Sequence, residues 1–530
     1  MKAALAHALR ELDAATSLAD LVECACARHA ARPAFSQGGR TLGYAEFGRL
    51  SASFADWLRR DAGLQGGDRV ALMLPNLLQY PVVLAGVWRA GLVAVNVNPQ
   101  YTARELAHQL GDSGARVIVA LDSLAALVAE VTAGTGLRHV LLTDAADLLG
   151  NTSGGGLPSE ACAMLRLRPL LERPGRALPA DIARPGRDDL ALLQYTGGTT
   201  GVSKGAMLTH GNLLANLHQA ARWYGGMLRE GAETVVTILP LYHIFALSFN
   251  GLLMLHLGAH NRLVASPRDL AAIAAALDGC TVLSGVNTLY AALLDAPEIA
   301  RVDLRGLKLA VAGGTATQPA VAERWLRRTG RPITEGYGLT EASPFVLSED
   351  PSGGSGPGLL PLPGTEVAVC APDGTRLPPG EPGELRVRGP QVMRGYWGRL
   401  DETAEALDNQ GWLRTGDLGR MDTRGAFTIT DRSKDMVLVS GFNVYPNEVE
   451  AVLSSHPGVA ECAVIGMPDA RTGEAVHAFV VLREPGPSTD ELVAHCRVQL
   501  TAYKVPRRID FVAQLPKSPV GKVLRRLLRT

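Results

Sequence analysis

The chain has 530 residues, of which 52 are Lys or Arg and 52 are Asp or Glu, so its formal net charge is zero. A chain of this length is expected to form two or more domains, and a 47% share of hydrophobic residues argues against extended disorder. The balanced charge gives no indication of a nucleic-acid-binding or strongly anionic surface.

The sequence also indicates a compartment. The seven cysteines are scattered without a metal-like cluster, which favours a reducing environment. Charged residues at 10–13 interrupt the apolar run that a signal peptide would need. The most apolar stretch, residues 244–259, contains Asn250 and His256 and is too short to cross a bilayer. We therefore expect a cytoplasmic protein, and peripheral contact with the inner face of the cytoplasmic membrane stays open.

In the first part of the chain, apolar runs of strand length alternate with helical patterns. Residues 17–29 and 44–60 show helical spacing, whereas residues 69–74 and 117–120 have the pattern of buried strands. This alternation predicts an α/β architecture with mostly parallel sheets. Residues 151–187 are rich in Gly, Pro and Arg, and we expect them to form a loop region.

The strongest single signal is the sequence YTGGTTGVSKGA at residues 195–206. The apolar run before it predicts a buried strand, and the pattern of residues 207–217 predicts a helix, so the glycine-rich stretch should form the turn between them. Such a turn can direct backbone N–H groups at an anion, and the ammonium of Lys204 adds a cation. We therefore interpret the stretch as a polyphosphate-binding loop.

Three alternatives to this interpretation are less favoured. A Walker loop requires Gly-Lys-Ser/Thr at its end, whereas here Ser203 precedes Lys204. Residues 201–205 match the nucleophile elbow of α/β-hydrolases, but a flexible Gly-Thr run stands where that elbow needs a strand. A solvated surface loop would not require so many hydroxyl residues.

Two further motifs follow predicted strands in the middle of the chain. His243 ends the sequence LPLYH after the strand pattern of residues 234–238, and Gly313 and Gly314 follow the apolar run at 309–312. A lone histidine or a glycine turn is more often structural than catalytic, so neither motif decides a function by itself.

Residues 335–341, EGYGLTE, combine three groups that suit a nucleotide. Tyr337 offers a flat apolar face for a purine ring, and the hydroxyl of Thr340 can hydrogen-bond to a phosphate oxygen. Glu341 supplies a hard carboxylate, the ligand type that Mg²⁺ uses together with substrate phosphates. A glycine-rich turn without a binding function would not require these side chains in this order.

After residue 361 the pattern changes to short strands and turn sequences, which predicts a small β-barrel. Asp417, in GWLRTGDL, can accept hydrogen bonds from ribose hydroxyls, with Arg432 as its counterpart. The charged residues 431–435 precede a compact tail of about a hundred residues, which we expect to be a separate α+β domain. On surface statistics alone, Lys522 in that tail would be a solvated charge.

Together these motifs and their order resemble the adenylate-forming superfamily of acyl-CoA synthetases, luciferases and peptide-synthetase adenylation domains. The sequence is most similar to bacterial long-chain fatty-acid–CoA ligases, through the words VNVNPQYT, LPLYHIFAL, KDMVLVSGFNVYPNEVE and PKSPVGKVLRR. Residues 349–360 and 151–187 depart from the pattern of these ligases.

The resemblance implies a division into domains. An α/β N-terminal domain of stacked subdomains, with the small β-barrel at residues 361–430, would extend over residues 1–431. A small mobile α+β domain would occupy residues 432–530 and carry the catalytic lysine. Lys434 would be the hinge between two orientations of this domain.

The resemblance also assigns roles to individual residues. The catalytic residues would be Lys522, Thr196, Lys204 and His243. The nucleotide-binding residues would be Thr196, Gly197, Gly198, Thr199, Thr200, Gly201, Lys204, Gly313, Gly314, Glu335, Gly336, Tyr337, Gly338, Thr340, Asp417, Arg432 and Lys522. Mg²⁺ would be bound by Glu341, the acyl group by His243 and Gly285, and CoA by Ser440, Gly441 and Phe442.

The implied activity is that of an ATP-dependent long-chain fatty-acid–CoA ligase, with ATP, Mg²⁺ and coenzyme A as cofactors and co-substrates. Fatty acid, ATP and CoA would be its partners, with no nucleic acid, and membrane contact and a homodimer are open options. An acyl-AMP ligase that loads a carrier protein, or a medium-chain acyl-CoA synthetase, would share the same nucleotide motifs. A luciferase-like monooxygenase and a non-catalytic acyl-CoA-binding protein are more distant alternatives.

Overall fold

The structure is a computed structural model. It describes residues 2–149, 164–175, 184–196, 203–432, 435–440, 442–469, 471–518 and 521–529, with side chains from residue 7 onward.

The strands are numbered in chain order. They are β1 Pro33–Gln37, β2 Arg40–Gly43, β3 Arg69–Met73, β4 Val93–Asn96, β5 Val117–Leu121, β6 His139–Thr143, β7 Met164–Arg166, β8 Leu190–Thr196, β9 Lys204–Thr209, β10 Thr234–Thr237, β11 His260–Leu263, β12 Val282–Gly285, β13 Leu309–Ala312, β14 Ile333–Gly338, β15 Phe345–Ser348, β16 Leu360–Pro361, β17 Glu366–Cys370, β18 Gly383–Arg388, β19 Leu413–Met421, β20 Phe427–Arg432, β21 Val437–Val439, β22 Phe442–Val444, β23 Val459–Asp469, β24 Gly473–Leu482 and β25 Arg508–Phe511.

The helices connect these strands. The α-helices are Lys2–Ala14, Leu18–Arg28, Tyr44–Arg60, Gln79–Arg89, Ala103–Ser113, Ala125–Thr132, Leu167–Glu172, His210–Tyr224, Ile244–Ala246, Met254–His256, Leu270–Leu277, Asn287–Asp295, Pro297–Ala300, Pro319–Thr329, Leu400–Ala406, Pro446–Ser454 and Thr489–Gln499. The 3₁₀ turns are Asp122–Leu124, Thr340–Ala342, Ala502–Lys504 and Arg525–Leu528, and Leu247–Leu253 is a π-helix.

Two large sheets carry the first part of the chain. One has the order β16-β15-β14-β13-β12-β10-β11-β1-β2, and the other has the order β7-β6-β5-β3-β4-β8-β9. Central neighbours such as β12 and β13, or β3 and β4, are parallel, whereas the outer pairs β1–β2, β14–β15 and β8–β9 are antiparallel. The predicted α/β architecture with mostly parallel sheets is confirmed.

A shared apolar core fixes the two sheets relative to each other. One cluster of buried apolar residues joins residues of both sheets with the helices Tyr44–Arg60, Gln79–Arg89 and His210–Tyr224. Within it, the indole N–H of Trp88 donates to the carbonyl oxygen of Ala191 at 2.9 Å. Because buried polar groups need partners, this bond also fixes the helix of Trp88 against β8.

The segment after the glycine-rich loop corrects the sequence prediction. Residues 204–209 form β9, antiparallel to β8, and the helix begins only at His210, so the loop joins two strands of a hairpin. The helix starts there because Thr209 is its N-cap: its hydroxyl accepts the N–H of Asn212, whose side chain accepts the N–H of Thr209. The N-terminus of this helix is therefore separated from the glycine-rich loop in the chain by β9.

A second correction concerns residues 151–187, which we expected to form a loop. The described parts contain β7, which is parallel to β6, and the short helix Leu167–Glu172. Leu167 and Leu171 of that helix are fully buried, so burial of leucine compensates for the surrounding Gly, Pro and Arg.

The apolar stretch around residues 244–256 is part of the core. Asn250, at its centre, donates to the carbonyl oxygen of Val236 and the hydroxyl of Thr237, and accepts from the hydroxyl of Ser284. The polar residue that interrupts the pattern therefore connects the π-helix to β10 and β12. Within the described ranges, no helix is both long and apolar enough to span a membrane.

Two smaller sheets follow. β17–β20 form a four-stranded antiparallel sheet at the position of the predicted β-barrel, and β21–β25 form a five-stranded sheet with the helices Pro446–Ser454 and Thr489–Gln499 packed nearby. A large α/β part and a small α+β part are therefore present as expected. The boundary at residues 431–432 falls at the end of β20 and stays a prediction.

Candidate active site

The described phosphate-loop residues stand on the two strands of the β8–β9 hairpin. Thr196 ends β8, Lys204 begins β9, and the two residues are paired in register. The predicted residues Gly197, Gly198, Thr199, Thr200 and Gly201 lie outside the described residues, as do the predicted hinge Lys434 and the predicted CoA contact Gly441.

Side chains from distant segments hold the base of this hairpin. The hydroxyl of Tyr195 donates to Oδ2 of Asp112 at 2.7 Å, and the guanidinium of Arg399 donates to Oδ1 at 2.8 Å. The indole N–H of Trp397 donates to the backbone oxygen of Asp112 at 3.1 Å, while its backbone N–H donates to Gly205 on β9 at 2.8 Å. Asp112 therefore ties the hairpin to the segment that runs along its outer edge.

Tyr396 connects two of the predicted site residues. The ammonium of Lys204 lies 5.2 Å from the centre of the Tyr396 ring, and the Tyr396 hydroxyl donates to Oε1 of Glu341 at 2.8 Å. Burial and the Glu341 carboxylate raise the pKa of Tyr396, so the hydroxyl stays a donor. A cation, an aromatic ring and a carboxylate thus lie close together at the start of β9.

Gly313 and Gly314 follow β13 and pack closely against neighbouring residues. A Cβ on Gly313 would lie 3.3 Å from the ring of Phe245 and 3.4 Å from the carbonyl oxygen of Gly336. Gly314 follows with φ at +81°, a conformation that favours glycine. A side chain at position 313 would therefore crowd Phe245 and the backbone of β14.

The end of β14 turns sharply. A Cβ on Gly338 would collide with the carbonyl oxygen of Pro344, which accepts the N–H of Leu339 at 3.1 Å. Thr340 and Glu341 follow in a 3₁₀ turn. The glycine is therefore required for the close approach that brings this turn to the site.

Glu335 is a buried carboxyl next to a second one. Its backbone N–H donates to Oε2 of Glu349 at 2.8 Å. Burial, together with the charge of Glu349, raises the pKa of Glu335 to about 7. At neutral pH this side chain therefore exists in both protonation states, and its protonated form can donate a hydrogen bond.

Tyr337, Asp417 and Arg432 form one contact group. The Tyr337 hydroxyl donates to Oδ2 of Asp417 at 2.7 Å, and Nε of Arg432 lies 2.8 Å from Oδ1. Asp417 and Arg432 are paired in register between β19 and β20, which explains why residues separated in sequence meet. Burial and Asp417 raise the pKa of Tyr337, so it remains a phenol.

Lys522 reaches this group from the far end of the chain. Burial and the guanidinium of Arg432 together lower its pKa to about 8, although the carboxylate of Asp417 acts in the opposite direction. The lysine sits in a turn in which Thr288 donates to the carbonyl oxygen of Gly521 at 3.2 Å. Contact with Thr288, just after β12, places this turn against the nine-stranded sheet.

His243 lies on the opposite side of the lysine. It caps the helix Ile244–Ala246, and its Nδ1 accepts the N–H of Phe245 at 3.3 Å. Burial lowers its pKa to about 4, and the charge of Lys522 adds to the effect. The imidazole is therefore neutral, with its proton on Nε2.

Of the predicted acyl contacts, Gly285 lies at the end of β12. Gly285 packs against Tyr290, because a Cβ there would lie 2.8 Å from the tyrosine ring. Gly251, on the π-helix, lines an apolar cavity of about 20 Å³ together with Leu241, Leu247 and Trp88. Leu241 and Leu247 flank His243 in the chain, so an apolar space begins close to this histidine.

The described CoA candidates lie on the five-stranded sheet. The backbone N–H of Ser440 donates to Thr472 at 2.8 Å, and Phe442 is 58% exposed with its ring stacked on Tyr503 at 5.0 Å between centres. Both contacts stay within the small α+β part.

Sequence reasoning did not find Asp112, Thr288 or Tyr396. Asp112 and Thr288 were not assigned a role, because their partners lie in segments far away in sequence. Tyr396 stands in the sequence GPQVMRGYW, which matches the resemblance but has no chemistry of its own. The sequence shows the residue type at each of these positions, but it does not show which distant residue the side chain contacts.

Comparison with known proteins decides the family. Residues 22–397 match the family described as AMP-binding enzyme, and residues 448–522 match the AMP-binding enzyme C-terminal domain. The chain belongs to the AMP-binding enzyme family. The long-chain-fatty-acid–CoA ligase of Escherichia coli O6:H1 is 48% identical to this AMP-binding enzyme over 528 residues, which cover 97% of this chain and 94% of that protein.

Solved structures show the same architecture. The anthranilate CoA ligase AuaEII in complex with anthranoyl-AMP superposes with a TM-score of 0.86 at 27% identity, covering 97% of this chain and 96% of that one. ATP-bound MatB from Rhodopseudomonas palustris gives 0.83 at 30% identity, covering 95% and 98%. The AMP-binding enzyme therefore shares both the large and the small part with these structures.

Proposed function

We propose that this AMP-binding enzyme is an ATP-dependent long-chain fatty-acid–CoA ligase. A fatty carboxylate would attack the α-phosphate of ATP with release of pyrophosphate, and CoA would then take the acyl group with release of AMP. The observation that carries the proposal is the position of Lys522, which lies within electrostatic range of Arg432, Asp417 and His243 although it comes from the end of the chain. The 48% identical long-chain-fatty-acid–CoA ligase supports the choice of acid and acceptor.

Charge explains the adenylation step. With a pKa of about 8, Lys522 is mostly an ammonium at neutral pH, and Arg432 adds a second cation. Positive groups held in place before the reaction stabilise the charge that develops on phosphoryl oxygens, and this is usually the largest catalytic contribution. Neutral His243 can donate a hydrogen bond from Nε2 to the acyl carboxylate without neutralising the nucleophile.

The nucleotide would be held by groups already in contact. Asp417 would offer acceptor oxygens to the ribose, and the base would lie near Gly313 and Gly314. Tyr337 supports Asp417 through its hydroxyl. These roles are proposals that rest on the contacts of the described residues and on the similarity to the ATP-bound structure.

Glu341 fits a Mg²⁺ ion that arrives with ATP. It contributes one carboxylate, and Mg²⁺ in such sites is usually bound by one or two carboxylates, substrate phosphates and water. When bound, the ion would neutralise phosphate charge. Tyr396 would keep the carboxylate oriented, and Lys204 would remain on the same side.

The second step needs a thiolate. A thiol with a pKa of about 8.5 is partly ionised at neutral pH, and its thiolate is a strong nucleophile toward the acyl-adenylate. The segment of Ser440 and Phe442 would guide CoA after the small domain, residues 432–530, has rotated. Contact with a membrane surface and a homodimer are secondary proposals, to be checked by vesicle flotation and light scattering.

The proposed function is tested by acid-dependent ATP–pyrophosphate exchange and by thioester formation with fatty acids of increasing length. We expect exchange with long-chain acids and AMP release with free CoA. AMP release with a holo-carrier protein but not with CoA would support the acyl-AMP ligase instead. Absence of exchange with every acid would overturn the proposal.

A further inference from the structure

We propose that Arg525 is a positioning residue, which holds the turn of Lys522 against the end of β20 and so favours the domain orientation that forms the adenylate. The inference rests on the proposed function, because it concerns the half-reaction that Lys522 serves. The evidence is a group of buried charged side chains around Arg525, outside the predicted nucleotide site.

Arg525 is the centre of this group. Its Nη2 donates to both carboxylate oxygens of Glu450, at 2.8 and 2.9 Å, and to Oδ1 of Asn447 at 2.7 Å. Both partners lie on the helix Pro446–Ser454. The guanidinium side chain is only 17% exposed, so these bonds are screened little by water.

The same guanidinium also faces the other side of the predicted domain boundary. Its Nη1 lies 3.7 Å from Oδ1 of Asp431, whose side chain is fully buried. Oδ2 of Asp431 accepts the backbone N–H of Asn447 at 2.9 Å, and the Asn447 side chain donates to the carbonyl oxygen of Thr430 at 3.1 Å. Asp431 and Thr430 belong to β20, whereas Asn447 and Arg525 belong to the small domain.

Arg525 is rigidly connected to Lys522. Two residues separate them, and the turn is closed by backbone hydrogen bonds from the N–H of Ser518 to the carbonyl oxygen of Lys522 at 2.7 Å and from the N–H of Leu524 to that of Pro516 at 2.8 Å. A displacement of Arg525 therefore displaces the ammonium as well. Contacts at the arginine and at Thr288 fix the two ends of the same turn.

The contacts to β20 exist only in one domain orientation. Both Asp431 and Thr430 precede residues 433–434, whereas Asn447 and Arg525 follow them. A large rotation of the small domain about that point separates the two sets. The group thus stabilises the orientation in which Lys522 meets Arg432, and its loss should shift the population away from it.

The half-reactions test this inference. Asp431→Asn removes the cross-boundary charge but keeps the size of the side chain. We expect acyl-adenylate formation by this variant to fall about fivefold or more, while conversion of supplied acyl-adenylate and CoA to thioester stays within about twofold. Asp435→Asn is the matched control, because Asp435 lies 3.5 Å from Arg525 on the same side of the boundary. It should change both steps by less than about twofold.

Amide hydrogen exchange of Asn447 provides a readout apart from activity. Its N–H lies in the first helical turn and has Asp431 as its partner, so its protection reports the cross-boundary contact. We expect faster exchange at this amide in Arg525→Gln than in the wild type, measured by mass spectrometry on the full chain.

Each outcome decides the inference separately from the function. Equal loss of both half-reactions in Asp431→Asn, an equal effect of Asp435→Asn, or unchanged Asn447 protection in Arg525→Gln would overturn it. Absence of acid-dependent ATP–pyrophosphate exchange in the wild type would refute the proposed function. The amide exchange of Asn447 would still test the contact with Asp431.

Discussion

At the scale of residues, the site combines charges that the sequence could and could not reveal. Asp417 and Arg432 were predicted as counterparts, and the structure places them 2.8 Å apart. Asp112 and Tyr396 were not predicted, because their partners, Arg399 and Glu341, lie in segments that only the tertiary fold brings near. The local sequence indicates which chemical groups are present, but it says little about the distant residues that they contact.

The lowered pKa of Lys522 predicts an alkaline limit to adenylation. The ammonium is lost as the pH rises through about 8, so kcat/KM for ATP should fall above that value. Lys522→Arg keeps a cation at higher pH and should move this limb upward, even if its maximum is lower. The test is to measure ATP–pyrophosphate exchange from about pH 6 to about pH 10, a range that extends to both sides of the lysine pKa.

Lys517→Arg is the control for this profile, because Lys517 lies in the same tail and pairs with Glu461. Its alkaline limb should coincide with that of the wild type. If the alkaline limb of the Lys522→Arg profile coincided with that of the wild type, a group other than Lys522 would be responsible for the limb.

Glu341 should control the response to Mg²⁺. Glu341→Ala removes the carboxylate, so we expect slower exchange at low Mg²⁺ and partial recovery as Mg²⁺ is raised, with the fold retained. Tyr396→Phe removes only the hydroxyl that donates to Glu341, and it should change the Mg²⁺ response less. Near wild-type exchange by Glu341→Ala without added metal would contradict the assignment.

At the scale of elements, tertiary pairing explains which predictions failed. The helix predicted at 44–60 has these bounds in the structure, and its apolar residues pack on the core. Residues 207–209 were expected to enter a helix, yet they belong to β9, because β8 on one side and residues 394–397 on the other offer backbone partners. Strand pairing over such distances has no local sequence signal.

The turn after β14 should be intolerant of a side chain. Gly338→Ala would bring a methyl group against the backbone oxygen of Pro344, and backbone atoms cannot move aside as a flexible side chain can. We expect a loss of roughly 3 kcal/mol in the free energy of unfolding together with weaker ATP binding. Denaturant unfolding measures the first effect and a binding titration the second.

Gly411→Ala is a suitable comparison, since a Cβ there would meet only the Arg388 side chain at 4.0 Å. Its backbone φ of +81° costs some stability by itself. ATP affinity should nevertheless stay at the wild-type level in this variant. Equal loss of ATP binding in both variants would argue against a specific role for the Gly338 turn.

At the scale of the whole molecule, we expect that one arrangement of the two parts does not serve both half-reactions of the proposed function. In this structure Thr288 and Asp431 contact the segment of Lys522, which lies near the predicted nucleotide-binding residues Arg432 and Asp417. Ser440 and Phe442 contact Thr472 and Tyr503 instead. A rotation about the predicted hinge at Lys434 would exchange these two surfaces, and a few residues can absorb such a change.

Two substitutions should therefore separate the half-reactions. Lys522→Ala is expected to slow adenylate formation by a factor on the order of 100, because a preorganised cation is lost, yet it should still convert supplied acyl-adenylate and CoA to thioester. Lys434→Pro fixes φ and removes a donor at the predicted hinge, so it should keep adenylation and lose thioester formation. Rapid-quench assays of each half-reaction, with circular dichroism as a check of folding, make the comparison. If folded forms of both variants lost both half-reactions equally, a mechanism with two domain orientations would have no support in this enzyme.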